Sequence, residues 1–253
     1  MASNECDPGL RKRDLLIGLQ AKTLRERTRD TMPAPKLETL PRPQRRLWTE
    51  LRDTPQDFVL YGGTGLALRL GHRTSEDFDF FSSRPFSPDA LWKEVGYLRS
   101  AEMRQFEENT LTAIVDRDGP VKLSFFGNLN LNRVQDPDVM PGNGIKVASL
   151  LDIAATKLST IQQRALARDY EDILALVDSG LSLTKMIAAA EAVYGSTFNG
   201  ALSLKALTFF ADGDLPTLSS GSQTRLRGLA SQVDLQHVPT MHSQVGVTGG
   251  NAE

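Results

Sequence analysis

The chain has few of the residues that form disulfides and zinc sites. Its 253 residues include a single cysteine, Cys6, and three histidines, His72, His237 and His242. A lone cysteine cannot form an internal disulfide, which is typical of a protein kept in a reducing compartment. So few metal-binding side chains also do not favour a zinc centre.

Long apolar runs are lacking as well. No run of 18 apolar residues occurs in the sequence, so it predicts no transmembrane helix and no membrane partner. Residues 1–7 contain acids and no apolar stretch, which is unlike a secretory signal. A hydrophobic content of 40% and a charged content of 24% are typical of a globular protein. We therefore expect a cytoplasmic protein with a substantial core.

The most informative segment begins with a glycine-rich turn. Residues 58–60 form a short apolar run, and Gly62 and Gly63 follow it, where a larger side chain would block the approach of a phosphate. Thr64 is predicted to cap a helix whose apolar residues continue to Leu70. Because a helix start presents unpaired N–H groups and a positive dipole end, this turn favours an anionic ligand.

Two carboxylates follow the glycine-rich turn. Asp77 and Asp79 alternate with Phe78 and Phe80, so a strand would present both carboxylates on one face and both rings on the other. Two like charges this close are unfavourable unless a cation lies between them, and carboxylates together with substrate phosphates suit Mg²⁺. Alone, the glycines would indicate only a turn and the acids a solvated loop. Their combination predicts a site for a nucleoside triphosphate and magnesium.

A second group of charged residues lies about 80 residues further on. Apolar residues at three- and four-residue steps predict a helix over 148–165, with Lys157 near its apolar stripe. This lysine could extend its amine to solvent or direct it at a phosphate. Asp169 is interpreted as the cap of the next helix. Asp172 lies one turn later and borders that helix's apolar face.

These patterns resemble a known superfamily and, more narrowly, one family within it. Gly62-Gly63-Thr64 followed by Asp77-x-Asp79 resembles the first motif of DNA polymerase β-type nucleotidyltransferases. With Gly71-His72-Arg73-x-Ser75 and Lys157-x6-Arg164-x3-Arg168-Asp169-x2-Asp172, the chain resembles the AbiEii/AbiGii toxin family, which includes the mycobacterial MenT-type toxins. The resemblance covers about residues 35–235.

The resemblance implies a fold and a role for each matching residue. The expected fold is α+β, a small mixed sheet with flanking helices, followed by a helical C-terminal region. Asp77 and Asp79 are expected to bind Mg²⁺, and Lys157 to offset charge on the triphosphate. Asp172 would complete the catalytic set by orienting the acceptor hydroxyl or acting as a general base. The expected nucleotide-binding residues are Gly62, Gly63, Thr64, Arg73, Ser75, Lys157 and Arg164.

One position departs from the superfamily pattern. Many of its members place a third metal-binding carboxylate on a later strand, which here corresponds to residues 120–126, joined to 110–116 by a hairpin at Asp118-Gly119. The inward polar position of this strand holds Ser124. The sequence therefore does not predict two tightly bound metal ions.

Three functions follow from the resemblance and from this departure. The first is a toxin that transfers a nucleoside monophosphate to RNA, such as the 3′ end of tRNA, and so blocks translation. The second is a transferase with a protein or small-molecule acceptor. The third is a nucleotide-binding module with little catalysis, which Ser124 makes conceivable. The predicted partners are a nucleoside triphosphate, RNA and a cognate antitoxin.

The net charge of −2 conceals a basic N-terminal segment. Between Arg11 and Arg46 there are eleven lysines and arginines against four acids. Such a segment could follow a phosphate backbone, but it could equally be a solvated helix face or a surface for an acidic antitoxin.

The sequence predicts four regions. These are a basic N-terminal helix and linker over 1–34, the nucleotidyltransferase core over 35–147, a helical region over 148–235 that completes the active site, and a disordered tail over 236–253. Helices are predicted over 8–31, 42–53, 148–165, 169–178, 182–194, 201–210 and 221–232, with another beginning near Pro88. Residues 133–143 are predicted to be an irregular loop.

Overall fold

The computed structural model describes residues 34–249 of the chain. The predicted helix over 8–31 and most of the basic segment lie outside these residues. Among the described residues, the predicted regions 35–147 and 148–235 belong to one compact unit.

A mixed seven-stranded sheet forms the first layer, with the strand order β3-β4-β5-β2-β1-β8-β7. Strand β2 runs antiparallel to β1 and parallel to β5, and β1 runs parallel to β8. The α+β fold class is therefore confirmed. The strands of this sheet are β1 Val59–Leu60, β2 Phe78–Phe81, β3 Glu102–Glu107, β4 Thr110–Asp116, β5 Pro120–Phe126, β7 Asp138–Val139 and β8 Lys146–Val147.

The predicted hairpin joins β4 to β5. Asp116 pairs with Pro120, and two of the three residues between them, Asp118 and Gly119, have positive φ angles of 59° and 144°. An aspartate and a glycine tolerate this conformation at low cost, which explains why the chain reverses at this point.

Helices cover the sheet and build most of the second half of the chain. Their apolar faces meet in one core, in which residues such as Ile153, Leu158, Ile173 and Ile187 are fully buried. The helices are α1 Arg42–Leu47, α2 Gly62–Leu70, α3 Pro88–Glu94, α4 Leu150–Thr160, α5 Ala167–Asp178, α6 Leu183–Tyr194, α7 Gly200–Ala206 and α8 Ser220–Ser231.

Several helix boundaries differ from the predicted ones. Helix α4 ends at Thr160, five residues early, and α5 begins at Ala167, two residues before the predicted start. The N-cap of α5 is Leu166, so Asp169 lies inside the first turn and is not a cap. The predicted helix over 42–53 is divided into α1 and a 3₁₀ turn at Glu50–Asp53.

The tail is the largest departure from the predicted organisation. Residues predicted to be disordered contribute strand β9, Gln244–Val245, which pairs with β6, Asn132–Arg133. Arg133 is buried and donates hydrogen bonds to the carbonyl oxygens of Val245 and Gly246 at 3.0 and 2.9 Å. Val247 is buried as well. The tail is held in place by a guanidinium and by the edge of a strand. The hydrophobicity of the tail sequence alone indicates neither contact.

Among residues 34–249, no single helix is long and apolar enough to cross a membrane. The helices Ala167–Asp178 and Leu183–Thr197 reach the required length and hydropathy only as a pair, with a bend of 113° between them.

Candidate active site

A cleft of about 690 Å³ lies between one face of the sheet and the helices α4 and α5. Strand β2 and the residues before it supply Asp77, Asp79 and Phe81 to its wall. Phe78 and Phe80, which alternate with them, are fully buried. The predicted alternation is therefore observed. The carboxylates face the cleft, and the intervening rings belong to the core.

The start of α2 lies in close contact with the carboxylates. Gly62 has a φ angle of +68°, and a β-carbon at this position would lie 2.9 Å from Oδ2 of Asp79. A β-carbon at Gly63 would collide with the guanidinium of Arg73 and would lie 3.2 Å from Oγ of Ser75. Gly62 therefore has no room for a side chain, and a side chain at Gly63 would displace the guanidinium of Arg73. The helix start lies beside Asp79, Arg73 and Ser75.

Thr64 has a different role from the predicted one. Helix α2 begins at Gly62, so Thr64 lies in its first turn and does not cap it. Its side chain is buried, and its hydroxyl hydrogen-bonds to Oγ of Ser75 at 2.8 Å and to the carbonyl oxygen of Asp77. Thr64 therefore holds the loop before β2 against the helix start, and it does not line the cleft as a phosphate ligand would.

Asp79 lies in a neighbourhood that opposes its ionisation. Burial, and then the charge of Asp77, raise the pKa of Asp79, while Lys122, Lys157 and a hydrogen bond with Ser124 only partly offset them. The Lys122 amine lies 3.7 Å from the Asp77 carboxylate. The two aspartates therefore retain uncompensated repulsion, which a bound cation would relieve.

This pair of oxygen ligands fits a magnesium ion. Within residues 34–249, no group of three or more histidine, cysteine or acidic side chains is arranged to hold a metal. Mg²⁺ needs only one or two protein carboxylates when substrate phosphates and water complete its coordination. Ser124 lies directly across from Asp79 on β5.

Asp172 is not available as a general base. It is fully buried and accepts hydrogen bonds from Arg73 Nε at 2.6 Å, Arg73 Nη2 at 2.9 Å and His72 Nε2 at 2.7 Å. The Lys157 amine lies 2.5 Å from its second oxygen. Burial alone would raise the pKa of Asp172, but these bonds and the charge of Lys157 hold it well below its ordinary range. The predicted catalytic role is therefore replaced by a positioning one.

Lys157 lies between two buried carboxylates. Its amine contacts Asp172 and also donates to Oδ1 of Asp169 at 2.8 Å. An ammonium has three N–H donors, so one remains for the cleft, which Lys157 lines. Arg164 donates from Nε to the other oxygen of Asp169 at 2.8 Å. Burial opposes the charge of Asp169, but the bond from Arg164 and the charge of Lys157 outweigh it and lower the Asp169 pKa.

The structure adds several cleft residues to those predicted. Lys122 and Phe126 lie on β5 on either side of Ser124, and Thr156 and Thr160 project from α4. The signal for the first two is present in the sequence, because an inward Ser124 makes residues 122 and 126 inward by the two-residue period of a strand. Arg168 also lines the cleft and forms no ion pair within the part of the chain that the structure describes.

A mixed sheet with two carboxylates facing a glycine-lined helix start is the arrangement of a nucleotidyltransferase fold. MenT4, a nucleotidyltransferase toxin from Mycobacterium tuberculosis, superposes with a TM-score of 0.51 at 17% identity over 76% of this chain and 82% of MenT4. An antigenic nucleotidyltransferase-like protein from Paracoccidioides brasiliensis gives a TM-score of 0.42 at 18% identity over 81% of this chain and 98% of that protein.

The sequence identifies the family. The model of the nucleotidyl transferase AbiEii toxin family, of type IV toxin–antitoxin systems, matches residues 46–238. The chain belongs to this family and is a nucleotidyltransferase toxin. It is also 30% identical over 159 residues to an uncharacterized protein of Aquifex aeolicus, a match covering 62% of this chain and 75% of that protein. Family membership implies a nucleoside triphosphate substrate and a cognate antitoxin.

Proposed function

We propose that this toxin transfers a nucleoside monophosphate from a nucleoside triphosphate to an RNA acceptor, such as the 3′ end of tRNA, with the aid of Mg²⁺. The main support is the convergence in one cleft of Asp77, Asp79, the helix start at Gly62 and Gly63, and the amine of Lys157. The cleft volume of about 690 Å³ is within the usual range for small-molecule sites.

Asp77 and Asp79 are the residues that would hold the magnesium ion. When bound there, the ion would supply positive charge that stabilises the reacting phosphoryl group. The mutual repulsion of the two carboxylates, together with the raised pKa of Asp79, supports this assignment.

The triphosphate would lie at the helix start. Gly62 and Gly63 line the cleft at the positive end of α2, next to the guanidinium of Arg73. Arg73 is fixed by two hydrogen bonds to Asp172, so little side-chain entropy remains to be lost when it binds an anion. The free N–H of Lys157 would offset charge developing on the leaving pyrophosphate.

The charge of the cleft supports a large anionic acceptor. Five cationic side chains line it against three carboxylates, and Arg168 and the half-exposed Arg164 lie on its α4–α5 side. Basic groups in a cleft of this kind attract polyanions and give binding that weakens with salt.

The proposal is tested by labelling. The protein is incubated with total tRNA, Mg²⁺ and each labelled nucleoside triphosphate in turn, and the products are separated by size. We expect label in RNA of tRNA length, absent with Asp79→Asn and unchanged with Asp89→Asn, an exposed acid on α3 that pairs with Lys93.

Three outcomes would contradict the proposal in different ways. Label found only in protein or in small molecules would replace the RNA acceptor with another class. Full incorporation by Asp79→Asn would show that this cleft is not the catalytic one. Triphosphate binding without pyrophosphate release would instead support a nucleotide-binding module.

A further inference from the structure

Two phenylalanine side chains occupy one end of an otherwise polar cleft. Phe81 ends β2 and Phe126 ends β5, and the two residues are partners in the parallel pairing of these strands. Both are only partly buried, whereas Phe78, Phe80 and Phe125 of the same strands are fully buried in the core. Core packing therefore accounts for Phe78, Phe80 and Phe125. Phe81 also packs against the core, but it is only partly buried and lines the cleft together with Phe126.

The two rings form a corner. Phe81 and Phe126 have centroids 5.8 Å apart and ring planes inclined by 82°. Phe81 also stacks on Tyr61, with centroids 4.8 Å apart and planes inclined by 15°. The rings of Tyr61 and Phe126 thus hold Phe81 at a fixed angle. The corner that Phe81 and Phe126 form matches a flat aromatic ligand.

The corner continues a row of functional residues. Along the chain, Ser75 lies beside the helix start at Gly63, Asp77 and Asp79 follow, and Phe81 comes two residues after Asp79. Two strand residues span about 6.6 Å. The wall of the cleft therefore changes along one direction from anion-binding groups to carboxylates to aromatic rings.

A nucleotide has the same order of parts, from phosphates through ribose to base. We infer that Phe81 and Phe126 form a nucleobase subsite, in which a base stacks on one ring and meets the other at its edge. This inference rests on the proposed function for the identity of the ligand as a nucleotide. The base could belong to the triphosphate or to the terminal nucleotide of the acceptor, since the acceptor hydroxyl must approach opposite the leaving pyrophosphate.

Binding measurements test the inference without requiring turnover. The affinities of each nucleoside triphosphate and of inorganic triphosphate are measured for the wild type, Phe81→Leu, Phe126→Leu and Phe126→Tyr. Phe106→Leu is the matched control, because Phe106 is 45% exposed on β3 and does not line the cleft. Inorganic triphosphate reports whether the phosphate end of the site is intact in each variant.

In the leucine variants, we expect the preference for nucleoside triphosphate over inorganic triphosphate to fall by about five- to 150-fold. This factor corresponds to the binding free energy that one base–aromatic stack usually contributes. Affinity for inorganic triphosphate should stay constant, and Phe126→Tyr and Phe106→Leu should resemble the wild type. If the base belongs to the acceptor, the preference will stay and the KM for RNA will rise by the same factor.

The failure of this inference is distinguishable from that of the proposed function. Leucine variants that bind nucleoside triphosphates and RNA like the wild type would overturn the subsite while leaving the transferase intact. A wild-type protein that binds neither nucleoside triphosphate nor inorganic triphosphate would overturn the proposed function and the subsite together.

Discussion

Replacing Asp172 with asparagine perturbs the group on which the active-site cations depend. The carboxylate is fully buried and is bonded to Arg73, His72 and Lys157. The substitution would keep the size of the side chain but remove its charge, leaving Arg73 and Lys157 without this shared counter-charge. Breaking a buried ion pair in this way typically costs about 3–5 kcal/mol. We expect Asp172→Asn to lower the free energy of unfolding by that amount.

The same helix offers a matched control. Asp178 ends α5 and pairs with Arg225, but its side chain is 60% exposed and that of Arg225 is 44% exposed. Solvent-exposed pairs of this kind contribute about 0–1 kcal/mol. Urea unfolding followed by circular dichroism should show a lower midpoint with an unchanged slope for Asp172→Asn, and almost no change for Asp178→Asn. Equal midpoints for the two variants would refute the reasoning.

The pH dependence of stability provides a second test of the Asp172→Asn substitution. The pKa of Asp172 is depressed in the folded state below its ordinary value of 3.8. An acid whose pKa is lower in the folded state than in the unfolded state stabilises the fold. This stabilisation is fully present above the unfolded pKa and is lost as the pH falls towards the folded pKa. The difference in unfolding free energy between the wild type and Asp172→Asn should therefore be constant near neutrality and narrow below about pH 4. A difference that grows on acidification would contradict the assignment.

Three further predictions concern the cleft and the tail. Asp79→Asn should abolish nucleotide incorporation without lowering the urea midpoint at pH 7, because its raised pKa means that the ionised carboxylate costs stability there. Gly62→Ala should lose activity in the labelling assay. Gly144→Ala is its control, because Gly144 also has a positive φ angle, +74°, but no atom lies within 4 Å of the added β-carbon. This variant should keep its activity and lose only about 1–2 kcal/mol of stability in urea unfolding, from backbone strain. Truncation after Ser243 should cost about 1–3 kcal/mol in urea unfolding, because Arg133 loses its carbonyl acceptors; an unchanged midpoint would mean that β9 contributes nothing.

Short-range periodicity carries the correct predictions. The alternation of Asp77 and Asp79 with buried rings, the hairpin at Asp118 and the helices of the second half all follow from spacing within a few residues. These features depend on local backbone geometry, which the sequence encodes directly.

The wrong predictions mostly concern partners far apart in the chain. The sequence pattern assigns Asp172 to catalysis because it does not show that His72 and Arg73, about 100 residues earlier, fill its hydrogen-bonding capacity. Thr64 has the residue type of a cap, but the helix begins two residues earlier, at Gly62, and its N-cap is Tyr61. The composition of the tail predicts disorder because it gives no sign of the tail's partner, the buried guanidinium of Arg133.

The bonds between Asp172 and the residues at 72 and 73 have a consequence for the synthesis of a toxic protein. A ribosome that has made the glycine turn and both aspartates must still add 93 residues to reach Asp172. Arg73 and Lys157 gain their shared anchor only after helix α5 has left the exit tunnel and folded back across about 100 residues. Nascent chains and abortive fragments that end before this helix should therefore be harmless to the cell that translates them.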